Sequence, residues 1–554
     1  MPNCTECNFP FDISEEENLF CHSLQIPTPP NCPKCRLIRR LNERNARKLY
    51  YRKCDFSSKK IISMYHEDQP FPVYDQAVWW SDKWDGLDYG QDFDFNRSFF
   101  EQYREFINKV PHFSVFTIAE SLENSEFTNC TGYLKNCYLI SESDYNEDCQ
   151  YSNRIYHCKD LLDCSNCYNS EGCYESIDCI NCTNLKYSLE CENCQDSFAL
   201  ENCIGCSDCI GLMNQRHQQF MILDKQYSKE EFNSLKESLN LNSHSGIVKF
   251  LNNAKSFFQN KPKKGTEGQH NENVVGDHVY NSKNAFQCFD CKDLEDCMYC
   301  TKVASSTKNC IDYTSWGFQA ELIYNCASCG DNAYNLKFCS TCTTNISNLE
   351  YCFQCTGSNN LFGCAGLKKK SYCIFNKQYS KEDFVILRER IIKHMESTGE
   401  WGQYFPKDIC TFGYNETIAM DHFPITKEEA LSKGYKWCDY EMPLQKVEKT
   451  ISPNDVPDSI KDIPETIINW AIVCETTNKP FNITKQELAF YKKHDIPCPR
   501  IKPDQRHANR MKKRPEYRLD ITNCSKCQRS IYSNITTGIT NPKYCEDCFK
   551  NLIY

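Results

Sequence analysis

No run of 18 apolar residues occurs in the 554-residue chain, so no helix is expected to span a membrane. The opening MPNCTECNFP lacks the basic flank and apolar stretch of a secretory signal. The expectation is a cytoplasmic protein with reduced cysteines; export by a route without a cleavable signal is the alternative. Catalytic signatures are missing too. There is no GxSxG, HExxH or P-loop, and no GxGxxG in context. The 12 histidines are scattered, and none forms a pattern with a neighbouring cysteine. These absences point away from an enzyme and toward a binding role.

Cysteine, by contrast, is abundant at 41 residues. In a short secreted chain this would read as a disulfide framework, but this chain is long and shows no signal. The net charge of −10 hides an asymmetry. Residues 31–60 hold 11 Lys or Arg against 2 acids, and residues 500–518 hold 8 against 2. The basic charge therefore sits near the ends and the middle is acidic.

The two ends are copies of one module. Cys4–Trp80 aligns with Cys474–Lys550 without a gap at an offset of 470, with 20 of 77 pairs identical. The copies divide their cysteines. The first has Cys4-x2-Cys7 and Cys32-x2-Cys35, where the second has Cys474, Thr477, Lys502 and Gln505. The second has Cys524-x2-Cys527 and Cys545-x2-Cys548, where the first has Cys54, Ser57, Asp75 and Val78. Each copy keeps one quartet whole and has lost three members of the other. Packing cysteines would be lost singly; ligands of one tetrahedral ion lose their use together. The pattern predicts two structural Cys4 zinc sites. Cys21 and His22 lie between the first knuckles as spare ligands, and Cys54, Cys474 and Cys498 are expected to bind no metal.

Arg36–Lys53, RLIRRLNERNARKLYYRK, lacks Gly and Pro and reads as a basic helix. Arg36, Arg40 and Arg44 recur as Arg506, Arg510 and Arg514. Spacing of four puts them on one helix face, where they could bridge phosphates of RNA or DNA. The expected nucleic-acid surface is Arg36, Arg39, Arg40, Arg44, Arg47 and Lys48, with Arg506, Arg510, Lys512, Lys513 and Arg514. The competing reading is structural ion pairing with acids within the module. The Trp79, Trp80 and Trp84 cluster reads as a packed joint between domains, with stacking on bases or sugars as the alternative.

The middle of the chain is repetitive. Twelve-residue units start at Cys179, Cys191 and Cys203, and Cys326, Cys339 and Cys352 recur every 13. Such periods predict stacked coils, so the fold class is mainly β: a right-handed parallel β-solenoid in two blocks, 122–225 and 284–377. Zinc-ribbon modules stand at both ends, with a few capping helices. Residues 211–232 match 363–384 at an offset of 152, so each block ends in KQYSKE opening a helix. A flexible surface linker is expected over 260–273, a connector over 400–470 and a short helix at IPETIINWAIVCE. The internal CxxC pairs fit a stacked packing ladder, further metal sites or disulfides, and spacing does not decide. Asp144, Glu147 and Asp148 form a local acidic group of the kind a carbohydrate-active solenoid would use, or ordinary solvated turns.

The motifs CPKCRLIRRLNERNARKLYYRKC, IISMY, WWSDKWDGLDYG, NKQYSKED, GEWGQYFP, FGYNET and KQELAFYKKHDIPCPRIKPDQRH occur in this order. In these the chain resembles a family of cysteine-rich zinc-ribbon and β-solenoid proteins from environmental small-genome bacteria. Family members keep Cys where this chain has Ser57, Asp75 and Val78, which implies that the first ribbon has lost its metal. Such sequences sometimes carry a CaiB/BaiF label, for which this chain shows no catalytic Asp context. The resemblance supplies almost no function. The readings carried forward are a scaffold binding nucleic acid or a ribonucleoprotein, a scaffold binding other proteins, and an enzyme on the solenoid face.

Overall fold

A computed structural model describes residues 1–442, 447–534 and 540–553. The chain divides into two compact units. Unit 1 comprises Met1–Val115, Thr266–Tyr440 and Glu516–Asp520. Unit 2 comprises Phe116–Gly265, Glu441–Pro515 and Ile521–Tyr554. The N-terminal module therefore belongs with the second solenoid block, and the C-terminal module with the first.

The solenoid is built from triplets, and unit 2 shows the rule most clearly. The first residue of a triplet bridges to its equivalent 12 residues on, as in Ser141, Asn153, Ser165, Ile177 and Leu189. The second turns the corner with positive φ: 54° at Arg154, 56° at Asn166, 53° at Asp178. The third, here Ile155, Cys167 and Cys179, points inward and is buried. Four triplets close one coil. Asn and Asp crowd the corners because their short side chains tolerate the left-handed region. Their amides also stack, with Asn184 Nδ2 donating to Asp196 Oδ1 at 2.9 Å.

Backbone hydrogen bonding explains what fills the interior. Asn153 N donates to Cys164 O, and Arg154 N to Ser141 O, so two N–H groups per triplet bond to neighbouring coils. The N–H of the inward residue has no such partner. A small acceptor one coil below satisfies it: Ser152 Oγ for Cys164 N at 2.9 Å, Asn146 Oδ1 for Cys158 N at 2.9 Å, Cys194 Sγ for Cys206 N at 3.4 Å. The thiols donate in turn, Cys164 Sγ to Leu162 O at 3.5 Å and Cys173 O at 3.4 Å. Four inward side chains per coil leave room for little beyond Cys and Ser, with Leu or Ile interspersed. A buried N–H without an acceptor costs about 1–3 kcal/mol, so Cys and Ser outcompete Ala or Val here. The internal CxxC is thus a period of three, with cysteine on successive sides of a coil.

In unit 1 the coils pair at 12 residues (Lys283 with Glu295) and then at 13 (Thr307 with Ala320, Ala320 with Ala333, Ala333 with Ile346). The added residue enters at one corner, which then carries two successive positive φ values: Ser305–Ser306, Phe318–Gln319, Asp331–Asn332 and Thr344–Asn345. The block begins earlier than its periodicity suggested, with Gly268 pairing to Val279. Both blocks end alike. Lys225–Gln226 and Lys377–Gln378 fold back antiparallel, and Ser228 and Ser380 cap the helices Lys229–Ser238 and Lys381–Ser397. These helices cover the last coils.

The terminal modules repeat element by element at the offset of 470. Helices Glu15–Ser23 and Pro33–Leu41 recur as Lys485–Lys493 and Pro503–Met511. Lys60–Ser63 and Val73–Tyr74 recur within Ser530–Asn534 and Lys543–Tyr544. The basic helix is shorter than its sequence predicts: it stops at Leu41, and a strand starts at Tyr50. Asn45 shapes the turn between them, its amide donating to Lys48 O and Met64 O and accepting from Lys48 N, each at 2.9 Å. IPETIINWAIVCE likewise gives one 3-10 turn, Glu465–Asn469, and then a strand, Trp470–Val473. Trp79 and Trp84 are buried and their indoles donate to Pro111 O and Trp79 O, so they form a packed joint; Trp80 stays exposed.

Candidate metal centres and the arginine clamps

Both expected quartets assemble. The sulfurs of Cys4, Cys7, Cys32 and Cys35 lie within 4.8 Å of one another, as do those of Cys524, Cys527, Cys545 and Cys548. The Cys7–Cys32 and Cys527–Cys545 sulfur separations are 3.8 and 3.7 Å. A tetrahedral ion with metal–sulfur bonds of about 2.3 Å needs about 3.8 Å. Backbone amides support the thiolates: Cys32 N donates to Cys4 Sγ at 3.2 Å and Cys545 N to Cys524 Sγ at 3.3 Å. At Cys524, burial works against ionisation, but the amides of Cys527 and Cys545 prevail and bring the thiol down to about 6. In sulfur spacing and amide donors both quartets offer what a thiolate-bound cation requires.

The degenerate copies keep the mould without the ligands. Lys502 N still donates to Cys474 Sγ at 3.4 Å, where Cys32 N meets Cys4. Asp75 N donates to Cys54 Sγ at 3.2 Å, where Cys545 N meets Cys524. Packing has replaced the ion. Among the described residues the first knuckle of unit 1 has a small core of Cys4, Phe11, Cys32 and Cys35 with Ile13 against it, whereas Cys474 belongs to a large core with Phe481, Ile483, Leu488 and Ile496. Cys21 turns away from the quartet toward Tyr324, and burial pushes its thiol up to about 11. His22 is exposed. Among the described residues, the solenoid cysteines form no closed group of this kind.

The arginines require a correction. Arg36, Arg40, Arg506, Arg510 and Arg514 are buried and cannot reach a phosphate. Arg36 pairs with Glu17 at 2.7 Å and with Asp312 at 2.6 Å, and Arg40 with Asp312 at 2.8 Å. In unit 2, Arg506 pairs with Glu487 at 3.0 Å and Asp163 at 2.8 Å, and Arg510 with Asp163 at 2.8 Å and Glu175 at 3.2 Å. Arg36 lies over the Tyr299 ring at 5.3 Å and Arg506 over Tyr151 at 5.1 Å. Arg44 donates to Ser328 Oγ at 3.0 Å, and Arg514 pairs with Asp178 at 3.1 Å. One acid at a solenoid corner thus receives two guanidiniums, and this arrangement occurs once in each unit. Arg39 pairs with Glu6, Arg47 and Lys48 are half-buried, and of the expected surface only Lys512 and Lys513 are exposed.

Sequence reasoning missed the acids. Glu17 and Glu487 align in the duplication and could have been found. Asp163 and Asp312 were hidden because the 13-residue coils shift the offset between blocks. The acidic group on block 1 does not converge: Glu147 pairs with Lys135 and Lys159, and Asp148 accepts from Asn136. Burial raises Asp144 to about 6.

No family model and no curated protein matches the chain. Among solved structures, a chain titled "putative acetyltransferase from Desulfovibrio desulfuricans G20" is similar at 9% identity, covering 50% of this chain and 81% of its own, with a TM-score of 0.10. At that score the likeness bears on neither fold nor activity.

Proposed function

We propose that the protein is a zinc-stabilised scaffold that acts by binding other proteins in a reducing, cytoplasmic compartment. The observation that carries this reading is the duplicated clamp: the same arginines lock each terminal module onto a solenoid corner, and each unit carries one intact Cys4 quartet. Four thiolates at tetrahedral spacing favour zinc over harder cations. None of the 41 cysteines is paired in a disulfide, which suits a reducing compartment. The ion supplies folding energy to a short loop-rich segment; the chain supplies the thiolates, the amides that stabilise them and the clamp. Arg36, Arg39, Arg40, Arg506, Arg510 and Arg514 are spent on acids, so protein is the favoured partner over nucleic acid.

Elemental analysis of the purified chain tests the metal: two zinc ions per chain are expected, and zero metal or iron would overturn the reading. Filter binding tests the partner. No measurable affinity for RNA or DNA is expected at about 50 mM salt; affinity that falls by orders of magnitude as salt rises would restore the nucleic-acid reading.

A further inference from the structure

The segment expected to be a flexible linker is held at its start, and the way it is held is duplicated. Lys263 and Lys264 lie parallel to Lys543 and Tyr544 in the C-terminal ribbon. Lys263 N donates to Pro542 O at 2.9 Å, Gly265 N to Tyr544 O at 3.0 Å, and Asn534 N to Gly265 O at 2.8 Å. In unit 1 the aligned ribbon grips Pro111–Ser114 by the same bonds. His112 N donates to Pro72 O at 2.9 Å, Ser114 N to Tyr74 O at 2.9 Å, and Met64 N to Ser114 O at 2.8 Å. Pro542, Tyr544 and Asn534 are Pro72, Tyr74 and Met64 moved by 470. Each gripped segment begins with proline, Pro111 and Pro262, and precedes a solenoid block. The ribbon is therefore a receptor for one extended strand, working by strand addition.

The two receptors are held together differently. Around the first, Tyr65, Phe71, Val73, Trp79, His112 and Phe113 are all buried. Around the second, few apolar side chains are buried among the described residues beyond Cys524, Cys545 and Phe549. The described residues of 521–553 supply too small a core to keep their shape alone, and fragments of this size need a staple. The staple is adjacent: Tyr544 immediately precedes the ligand Cys545. Asn541 Nδ2, beside the strand, donates to Phe258 O and Lys261 O at 2.7 Å each.

We infer that the C-terminal Cys4 site is a metal-dependent latch, in which a thiolate-bound divalent cation keeps the strand receptor closed on Pro262–Gly265. This rests on the metal reading above, and it assigns to that site control over the tether leading out of block 1. Without the ion the receptor loses its shape and the tether is released. The packed receptor around Pro111–Ser114 does not respond.

Limited trypsin digestion of the full chain, read by mass spectrometry with metal content measured in parallel, tests the latch. In metal-loaded protein, cleavage after Lys263 and Lys264 should be slow. Stripping metal, or Cys527→Ser with one ion retained, should speed it by about tenfold or more, with no change after Lys109. Cys7→Ser should also lose one ion yet leave Lys263 and Lys264 protected. Asn541→Ala should keep both ions and still speed cleavage, by about fivefold. If Cys527→Ser retains one ion and cleavage stays slow, the latch is overturned and the metal reading stands. Wild-type protein that holds no metal overturns both.

Discussion

Each buried charge in the clamps depends on its partner. Asp312 and Asp163 each receive two guanidiniums in a site closed to water. Removing one partner of such a group leaves charge buried without compensation, at a cost of about 3–5 kcal/mol. Asp163→Ala and Asp312→Ala should each lose stability in that range by urea unfolding, whereas Asp148→Ala, at a half-buried corner amide stack, should cost about 1 kcal/mol or less. The inward thiols obey a different rule. Cys194→Ser keeps an acceptor for Cys206 N and should cost under about 1 kcal/mol, while Cys194→Val leaves that N–H without one and should cost about 1–3 kcal/mol. His112 sets a pH response. Burial holds its imidazole neutral, pushed down to about 3. Between the ordinary value near 6.5 and 3 the unfolded chain binds the proton and the folded chain does not, so stability falls as pH is lowered through that window, by at most about 1.4 kcal/mol per unit. His112→Phe should flatten the denaturation midpoint between pH 6.5 and 4. An unchanged slope would mean that other groups carry the acid response.

At the scale of elements, legibility depended on whether a signal was local. The quartets were legible because a lost ion frees all its ligands at once, and the duplication displayed that loss twice. The stacked coils were legible from their 12- and 13-residue periods, but the reason for the cysteines was not. It lies in an N–H that has no ladder partner, which spacing does not reveal. The basic helix was read too long because Asn42–Leu49 contains neither Gly nor Pro; Asn45 makes the turn with its side chain instead. Asn45→Ala strands Lys48 N as well as two carbonyls, and should cost about 1–3 kcal/mol in thermal or urea unfolding without changing metal content. The phosphate reading of the arginines failed because the acid each clamp shares, Asp312 or Asp163, lies 272 residues from Arg40 or 347 from Arg510, although Glu17 and Glu487 stand only 19 residues from Arg36 and Arg506.

For the whole molecule, each unit unites a terminal module with the solenoid block remote from it in sequence. Chain order, module then block then block then module, gave no hint of this pairing. Each unit has its own clamp and its own quartet, so damage should stay local. Asp163→Ala should lower the unfolding of unit 2 alone, and Cys7→Ser that of unit 1 alone, seen by hydrogen exchange as loss of protection confined to one unit's peptides.

The triplet coil also has a genetic consequence. Because the columns of the solenoid repeat at 12 residues in the first block and at 12 or 13 in the second, an in-frame loss or gain of one whole coil returns each side chain to its own side, and the corners that already carry a thirteenth residue show where a single codon can enter. Three codons do something else: they turn the rest of the block by one side, so that residues meant for the module face solvent. Natural variation in block length should therefore come in steps of 12 or 13 codons, and variants with three codons gained or lost should fail to accumulate as protein.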